Sequence, residues 1–161
     1  MRAKRSGDGK AEDWTAASVE AVAVGLLARR EHSRAELSRK LAGRGVPGEL
    51  METVLDALAE RGLQSDARYA EALFTSRIGR RHGPARIRRE LQERGVSAAL
   101  VEAALEAAEV DWFELAREAR RRRFGDTPPD EWNERVRQSR FLEYRGFTSD
   151  QVRFALGREQ D

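Results

Sequence analysis

A six-residue pattern that occurs three times constrains the fold of this chain more than any other feature. It reads LAGRGV from residue 41, LQERGV from residue 91 and LEYRGF from residue 142, so the copies start 50 and 51 residues apart. Apolar residues at helical spacing follow every copy at a similar distance. A recurrence at this period is typical of tandem repeats, in which each unit is one small supersecondary structure.

The composition favours helices for these units. Charged residues make up 36% of the chain and hydrophobic residues 40%, and there is no run of β-branched residues. Alanine, leucine, glutamate and arginine dominate, and all four favour helices. We therefore predict an all-α protein of three tandem three-helix repeats, about nine helices in an elongated and curved array. The predicted segments are a disordered tail at residues 1–12 and repeats at residues 13–62, 63–109 and 110–157.

Capping residues predict where several helices begin. Ser33 with Glu36 fits the capping box, in which each side chain satisfies a backbone N–H that the first helical turn leaves without a partner. In the third repeat we expect Thr127 and Pro128 to open a helix that turns Trp132 inward.

The Arg-Gly pair in each copy of the repeated pattern has a structural interpretation. An arginine in the last turn of a helix complements the helix dipole, and a following glycine adopts the left-handed conformation that ends the helix. We therefore interpret these pairs as elbows between the second and third helices of each repeat, and partner contact is the less favoured alternative. The elbow residues are Arg44, Gly45, Arg94, Gly95, Arg145 and Gly146.

The residues that usually carry catalysis are nearly absent from the sequence. There is no cysteine, which excludes disulfides, thiolate metal sites and cysteine nucleophiles. The two histidines, His32 and His82, occupy matching places in two repeats, and repetition explains them more simply than a metal-ligand pair does. The glycines do not follow the order of a phosphate-binding loop. We predict no enzyme activity, no catalytic residue, no metal and no cofactor.

The hydropathy of the chain indicates the cellular compartment in which we expect the protein. No apolar run approaches the roughly 18 residues of a membrane span, and the N-terminal residues lack the apolar core of a signal peptide. We expect a cytoplasmic monomer that does not bind membranes.

Arginines form two local clusters although the net charge of the chain is only +2. Seven arginines and two glutamates lie between residues 77 and 94, and a second arginine-rich run follows between residues 117 and 123. A partner-binding surface and an ordinary solvated face are both open interpretations at this point. The residues predicted for a partner or DNA contact are Arg77, Arg80, Arg81, Arg86, Arg88, Arg89, Arg120, Arg121, Arg122 and Arg123.

A helix-turn-helix DNA reader would share the order of capped helix, glycine turn and second helix. The helices that would enter the major groove carry several carboxylates, which an anionic groove repels. They are Glu49, Glu52, Asp56 and Glu60 in the first repeat and Glu102, Glu106 and Glu109 in the second. Sequence-specific reading is therefore disfavoured, whereas nonspecific contact with phosphates stays open.

Four ordered groups of residues resemble the motifs of the RecX family of regulatory proteins. They are Leu26-Leu27-Ala28-Arg29-Arg30 with Ser33, Glu36, Leu37 and Leu41; Asp66 with Arg68, Tyr69, Ala70 and Arg77; Gly83 and Pro84 with Ile87, Glu90, Leu91, Gly95 and Val96; and Phe141 and Leu142 with Arg145, Gly146 and Phe147. The resemblance implies a protein that binds in the groove of the RecA–DNA filament and inhibits strand exchange and ATP hydrolysis.

Two hypotheses about function follow. In the first, suggested by the resemblance, the chain regulates the RecA recombinase in DNA recombination, DNA repair and the SOS response, with direct phosphate contacts to DNA. In the second, the chain is a stand-alone nucleic-acid-binding helical module that contacts phosphates nonspecifically, with an affinity that falls steeply as salt rises.

Overall fold

The computed structural model describes residues 13–157, and within that range it contains nine α-helices and no strand. The first three helices are α1 (Ala16–Arg29), α2 (Arg34–Gly43) and α3 (Gly48–Glu60). The next three are α4 (Asp66–Gly79), α5 (Pro84–Glu93) and α6 (Ala98–Ala107). The last three are α7 (Trp112–Phe124), α8 (Trp132–Tyr144) and α9 (Ser149–Ala155). The predicted all-α class is confirmed, and the predicted tail at residues 1–12 lies outside the described residues.

The chain divides after Ser65 into two compact units. The first unit contains α1 to α3, and its core is built from residues that recur every three or four positions along each helix. Buried leucines and valines of all three helices meet there: Val19, Leu37, Leu41, Val54, Leu55 and Leu58. The Ser33 hydroxyl accepts from the Glu36 backbone N–H at 3.1 Å, which confirms the predicted capping box.

The second unit contains α4 to α9, with one core for α4–α6 and another for α7–α9. Buried side chains of the first are Tyr69, Phe74, Ile87, Leu91 and Val101, and those of the second include Leu142, Phe147 and Val152. Trp112 of α7 packs edge-to-face against Phe74 of α4, with ring centroids 5.8 Å apart. This contact connects the two cores of the unit.

The predicted elbows share one hydrogen-bond pattern. The residue after each glycine donates its backbone N–H to the carbonyl five positions earlier, at 3.2 Å for Val46, 3.1 Å for Val96 and 3.2 Å for Phe147. The glycines have φ values of 86°, 78° and 93°. This arrangement is a Schellman motif, which satisfies carbonyls at the helix end and reverses the chain. Arg81 ends α4 with a similar bond at φ 58°, a conformation that costs a non-glycine residue about 1 kcal/mol.

The prediction that Trp132 turns inward was wrong. Its exposed fraction is 71%, because α8 begins only at Trp132 and its buried face carries Gln138 and Leu142. The segment before it stays non-helical, since the Arg135 side chain donates to the Pro129 carbonyl at 2.9 Å. The capping residue of α8 is Glu131, four residues after the predicted start at Thr127.

Within residues 13–157, no helix combines the length and the apolar character that crossing a bilayer requires.

Candidate functional site

The turn between α4 and α5 contacts the elbow between α8 and α9 through backbone atoms. The Gly83 N–H donates to the Arg145 carbonyl at 2.7 Å, and the Ala85 N–H donates to the Gly146 carbonyl at 3.1 Å. A Cβ atom on Gly83 would lie 2.3 Å from the Gly146 carbonyl carbon, and one on Gly146 would lie 2.3 Å from the Arg86 Cβ. Only glycine fits at either position, and we call this contact the glycine junction.

Five arginines line a cleft of about 290 Å³ beside the glycine junction. They are Arg77, Arg80, Arg86, Arg89 and Arg94, and the cleft also contains His82, Glu90 and Glu93. All of them come from the end of α4, the following turn and α5. The structure therefore brings together most of the first predicted arginine cluster, in an environment with more basic than acidic side chains.

Three of the predicted arginines are paired with carboxylates. Arg77 donates its Nε to Glu90 at 2.8 Å, and this half-buried hydrogen bond raises the pKa of Arg77 and lowers the pKa of Glu90. Arg81 pairs with Glu118 at 2.9 Å. Arg88 pairs with Glu102 at 2.7 Å on the surface. These side chains are less available to an external anion than their unpaired neighbours.

Arg80, Arg86 and Arg89 have no carboxylate within 4.0 Å among residues 13–157. Arg80 and Arg89 are exposed and Arg86 is half-buried. The Arg86 guanidinium lies 5.5 Å from the centroid of the Tyr144 ring. These three side chains are the part of the first cluster that could bind phosphate, since an arginine can donate two parallel hydrogen bonds to it.

His82 lies buried at the inner side of the cleft, with an exposed fraction of 7%. Burial, together with the positive charges of Arg86, Arg145 and Arg77, lowers the pKa of His82 to about 4. The imidazole is therefore neutral near pH 7. No cluster of metal-binding side chains occurs in the part of the chain that the structure describes. His82 is packed as a buried side chain of the repeat.

The matching residue of the first repeat explains the place of His82. The Nδ1 atom of His32 lies 3.0 Å from the Arg30 carbonyl. The equivalent carbonyl, that of Arg80, instead accepts from the Arg145 guanidinium at 2.6 Å. Among the described residues, the Nδ1 atom of His82 has no hydrogen-bond partner. The interpretation of the histidines as equivalent positions in two repeats agrees with this geometry, and Arg145 accounts for the difference between them.

The second predicted cluster divides into buried and exposed arginines. Arg120 is only 2% exposed, so it is removed from the set of surface residues. It shares the inward face of α7 with Ala116 and Ala119, and its guanidinium donates to the carbonyls of residues 125, 126 and 127 at 3.1–3.2 Å. Burial lowers the pKa of Arg120. The exposed members are Arg121, Arg122 and Arg123.

The two clusters meet across a small cavity of about 140 Å³. Arg81 of the first cluster and Arg122 and Arg123 of the second line it together with Arg145. The Arg145 guanidinium stacks 4.9 Å from the centroid of the Phe141 ring, and burial lowers the pKa of Arg145. We call the combined set the junction surface. Its residues are Arg80, Arg81, Arg86, Arg89, Arg122, Arg123 and Arg145.

Arg145 is the member of the junction surface that the sequence assigned only to an elbow. Its guanidinium contacts Arg80, which lies 65 positions earlier in the chain. No local pattern reports a contact over that separation. The elbow role and the surface role coexist, because the backbone of Arg145 ends α8 while its side chain crosses to the α4–α5 turn.

Comparisons with known proteins give a consistent result along most of the described chain. Family models for the first, second and third three-helix domains of RecX match residues 21–58, 65–105 and 109–156. The chain is 50% identical over 138 residues to the regulatory protein RecX of Halorhodospira halophila, covering 86% of each chain. It is 47% identical over 148 residues to the protein of the same name from Pseudomonas putida KT2440, covering 91% of this chain and 95% of the relative.

Two crystal structures share the fold. One is the crystal structure of a regulatory protein RecX, which superposes with a TM-score of 0.77 at 22% identity, over 89% of this chain and 73% of the other. The second is RecX from Lactobacillus salivarius, with a TM-score of 0.73 at 20% identity, over 88% of this chain and 94% of the other. These two solved structures therefore share the fold of this chain.

Proposed function

This chain belongs to the RecX family, and we propose that it binds the RecA–DNA filament as a cytoplasmic monomer and inhibits the RecA recombinase. Three RecX domains in order, together with relatives that are named regulatory proteins, support a regulator rather than an enzyme. The ordered motifs of the sequence suggest RecA as the partner. In this proposal the protein acts by occupying the filament, and no chemical step takes place on the chain.

The junction surface is the observation that carries the DNA side of the proposal. Arg80, Arg86 and Arg89 present guanidinium groups that no described carboxylate neutralises. Phosphate contacts supply most of the nonspecific affinity of proteins for nucleic acids. The backbone hydrogen bonds of the glycine junction fix the α4–α5 turn against the α8–α9 elbow, so the backbone that carries these arginines needs little reorganisation to meet a phosphate.

Acidic residues of the same unit provide a second kind of contact. Glu106 of α6 and Glu109, which follows the helix, are exposed; Glu102 is exposed as well but pairs with Arg88. Such carboxylates are repelled by DNA and are attracted to basic groups of a protein. A surface with both signs of charge fits a partner that is itself a complex of protein and DNA.

Reversal of two charges on α5 tests the proposal. We expect Arg86→Glu with Arg89→Glu to raise the concentration needed to inhibit the DNA-dependent ATPase of RecA by at least about tenfold, since two phosphate contacts become repulsive. The matched control is Arg29→Glu with Arg44→Glu, two exposed arginines of the first unit. The control should stay within about twofold of the parent.

Circular dichroism and thermal unfolding would show that both variants keep their helices. Equal inhibition by the parent and the folded α5 variant would exclude the junction surface as the contact.

The stand-alone nucleic-acid-binding module stays as the second candidate, because the same arginines would serve it. The two candidates differ in where the protein sediments. A RecA regulator should co-sediment with RecA–DNA filaments at a salt concentration at which it no longer binds protein-free DNA. A stand-alone module should instead bind protein-free DNA better than it binds the filaments. Retention on DNA alone with no gain from RecA would exclude the first candidate.

A further inference from the structure

An aromatic side chain stands exposed at the edge of the junction surface. Tyr144 is the last residue of α8, and 78% of it is exposed. Its side chain makes no hydrogen bond within the described part of the chain. A large aromatic ring in water forgoes the burial that such side chains normally contribute to a fold. The ring therefore adds little to the core of this unit and remains available to a ligand.

One arginine connects this ring to the basic cleft. The Arg86 guanidinium lies 5.5 Å from the centroid of the Tyr144 ring, and the same residue lines the cleft with Arg80 and Arg89. A cation close to an aromatic face is a favourable contact, and it leaves the rest of the ring to solvent. A phosphate bound by Arg86 would thus have its attached base close to Tyr144.

The backbone around Tyr144 is held in place. The next two residues, Arg145 and Gly146, accept hydrogen bonds from Gly83 and Ala85 at the glycine junction. The end of α8 is therefore fixed against the start of α5, where the arginines lie. A tyrosine has two side-chain torsions, so ordering it on a ligand costs little conformational entropy.

We propose that Tyr144 is a base-stacking site, so that the junction surface binds unpaired nucleotides in preference to duplex DNA. Proteins that bind single strands combine a basic groove with aromatic side chains on which bases stack. The bases of a duplex are stacked on one another and offer no face to Tyr144, whereas those of a single strand do. This inference rests on the proposed contact between the junction surface and DNA, and it adds which form of DNA is bound.

The test compares a labelled thymidine oligonucleotide with a duplex of the same length, by fluorescence anisotropy with the full chain. We expect Tyr144→Ala to weaken binding to the single strand by roughly tenfold and binding to the duplex by less than about twofold. Tyr144→Phe keeps the ring and should bind like the parent. An abasic strand should bind the parent about as weakly as the thymidine strand binds Tyr144→Ala.

Trp132 provides the matched control. It is 71% exposed and lies at the opposite end of the same helix, about 18 Å away along the axis, beside a different cleft. Trp132→Ala should leave binding to both forms of DNA unchanged. An equal loss with Trp132→Ala would indicate a general effect of exposed aromatics and would overturn the assignment of Tyr144.

The remaining outcomes separate this inference from the proposed function. An equal change on both forms of DNA, or no change, with Tyr144→Ala would exclude stacking, while a loss of binding in Arg86→Glu with Arg89→Glu would still support the phosphate contact. A parent protein that binds neither form of DNA would overturn both the inference and the phosphate contact. Inhibition of the RecA ATPase would then test the protein side of the proposal separately.

Discussion

Arg120 and Arg121 are neighbours in α7 with opposite environments. Arg120 is buried and donates to three backbone carbonyls, whereas Arg121 is exposed. In the sequence the two residues belong to one run of four arginines, and periodicity alone did not separate them. Arg120 lies four residues after the buried Ala116 and therefore on the same inward face of α7, and the packed unit shows that this face is buried.

Removal of the Arg120 side chain should therefore be costly. We expect Arg120→Ala to lower the free energy of unfolding by roughly 2–4 kcal/mol, because it leaves a cavity and three carbonyls without a donor. Arg121→Ala should change it by less than about 0.5 kcal/mol. Urea unfolding of the two variants measures the difference, and equal stabilities would contradict the structural role of Arg120.

His82 makes stability depend on pH. Its pKa is about 4 in the folded chain and about 6.5 in an unfolded chain, so between these values the unfolded state binds more protons. The contribution of the neutral imidazole is present above about pH 6.5 and is lost as the pH falls toward 4.

We expect His82→Gln to reduce the loss of stability between about pH 7 and about pH 5, because the variant has no imidazole to protonate on unfolding. Urea unfolding of the parent and variant at the two pH values measures this. His32 is present in both proteins and serves as the internal control. An unchanged pH dependence would show that His82 titrates alike in both states.

At the scale of elements, the three elbows share a motif but differ in their surroundings. A Cβ on Gly45 would meet nothing within 4 Å, whereas a Cβ on Gly146 would collide with Arg86. Both glycines have positive φ values. The first elbow therefore needs glycine for its backbone conformation alone, and the third needs it also for contact.

This difference predicts unequal costs for the same substitution. Gly45→Ala should lower the free energy of unfolding by about 1 kcal/mol, from backbone strain. Gly146→Ala should cost at least about 2 kcal/mol more, since the α8–α9 elbow must move away from α5. Thermal unfolding monitored by circular dichroism compares them. Equal losses would show that the glycine junction adjusts without cost.

Helix starts and elbows were predictable because their causes lie within about five residues. The capping box joins Ser33 and Glu36, which are three positions apart. At each elbow, the residue after the glycine donates to a carbonyl five positions earlier. Such short-range relations can be read directly from the sequence. The exposed Trp132 was not predictable in this way. Arg120 of α7 and Arg135 of α8 both donate to carbonyls of the loop before Trp132, and only the packed unit shows these contacts.

At the scale of the whole molecule, a net charge of +2 conceals the separation of charge that the proposed function needs. The sequence showed the two arginine clusters, but it did not show which of their arginines are available to bind an anion. Ion pairs with glutamates remove Arg77 and Arg88 from the junction surface, and Arg81 remains in it although it pairs with Glu118. Arg145 joins the surface from a distant part of the chain. The ATPase and stacking experiments therefore use α5 and Tyr144 rather than the most arginine-rich run.

The glycine junction is made of backbone atoms, and this has a consequence for how the protein can evolve. Its hydrogen bonds join Gly83 and Ala85 to carbonyls and need no particular side chain beyond the glycines. In the proposed function, mutations of the neighbouring arginines would thus alter the affinity for DNA without disrupting the glycine junction. Because the backbone forms the glycine junction and the side chains form the basic surface, selection can change the affinity of a regulator in small steps while its fold is inherited unchanged.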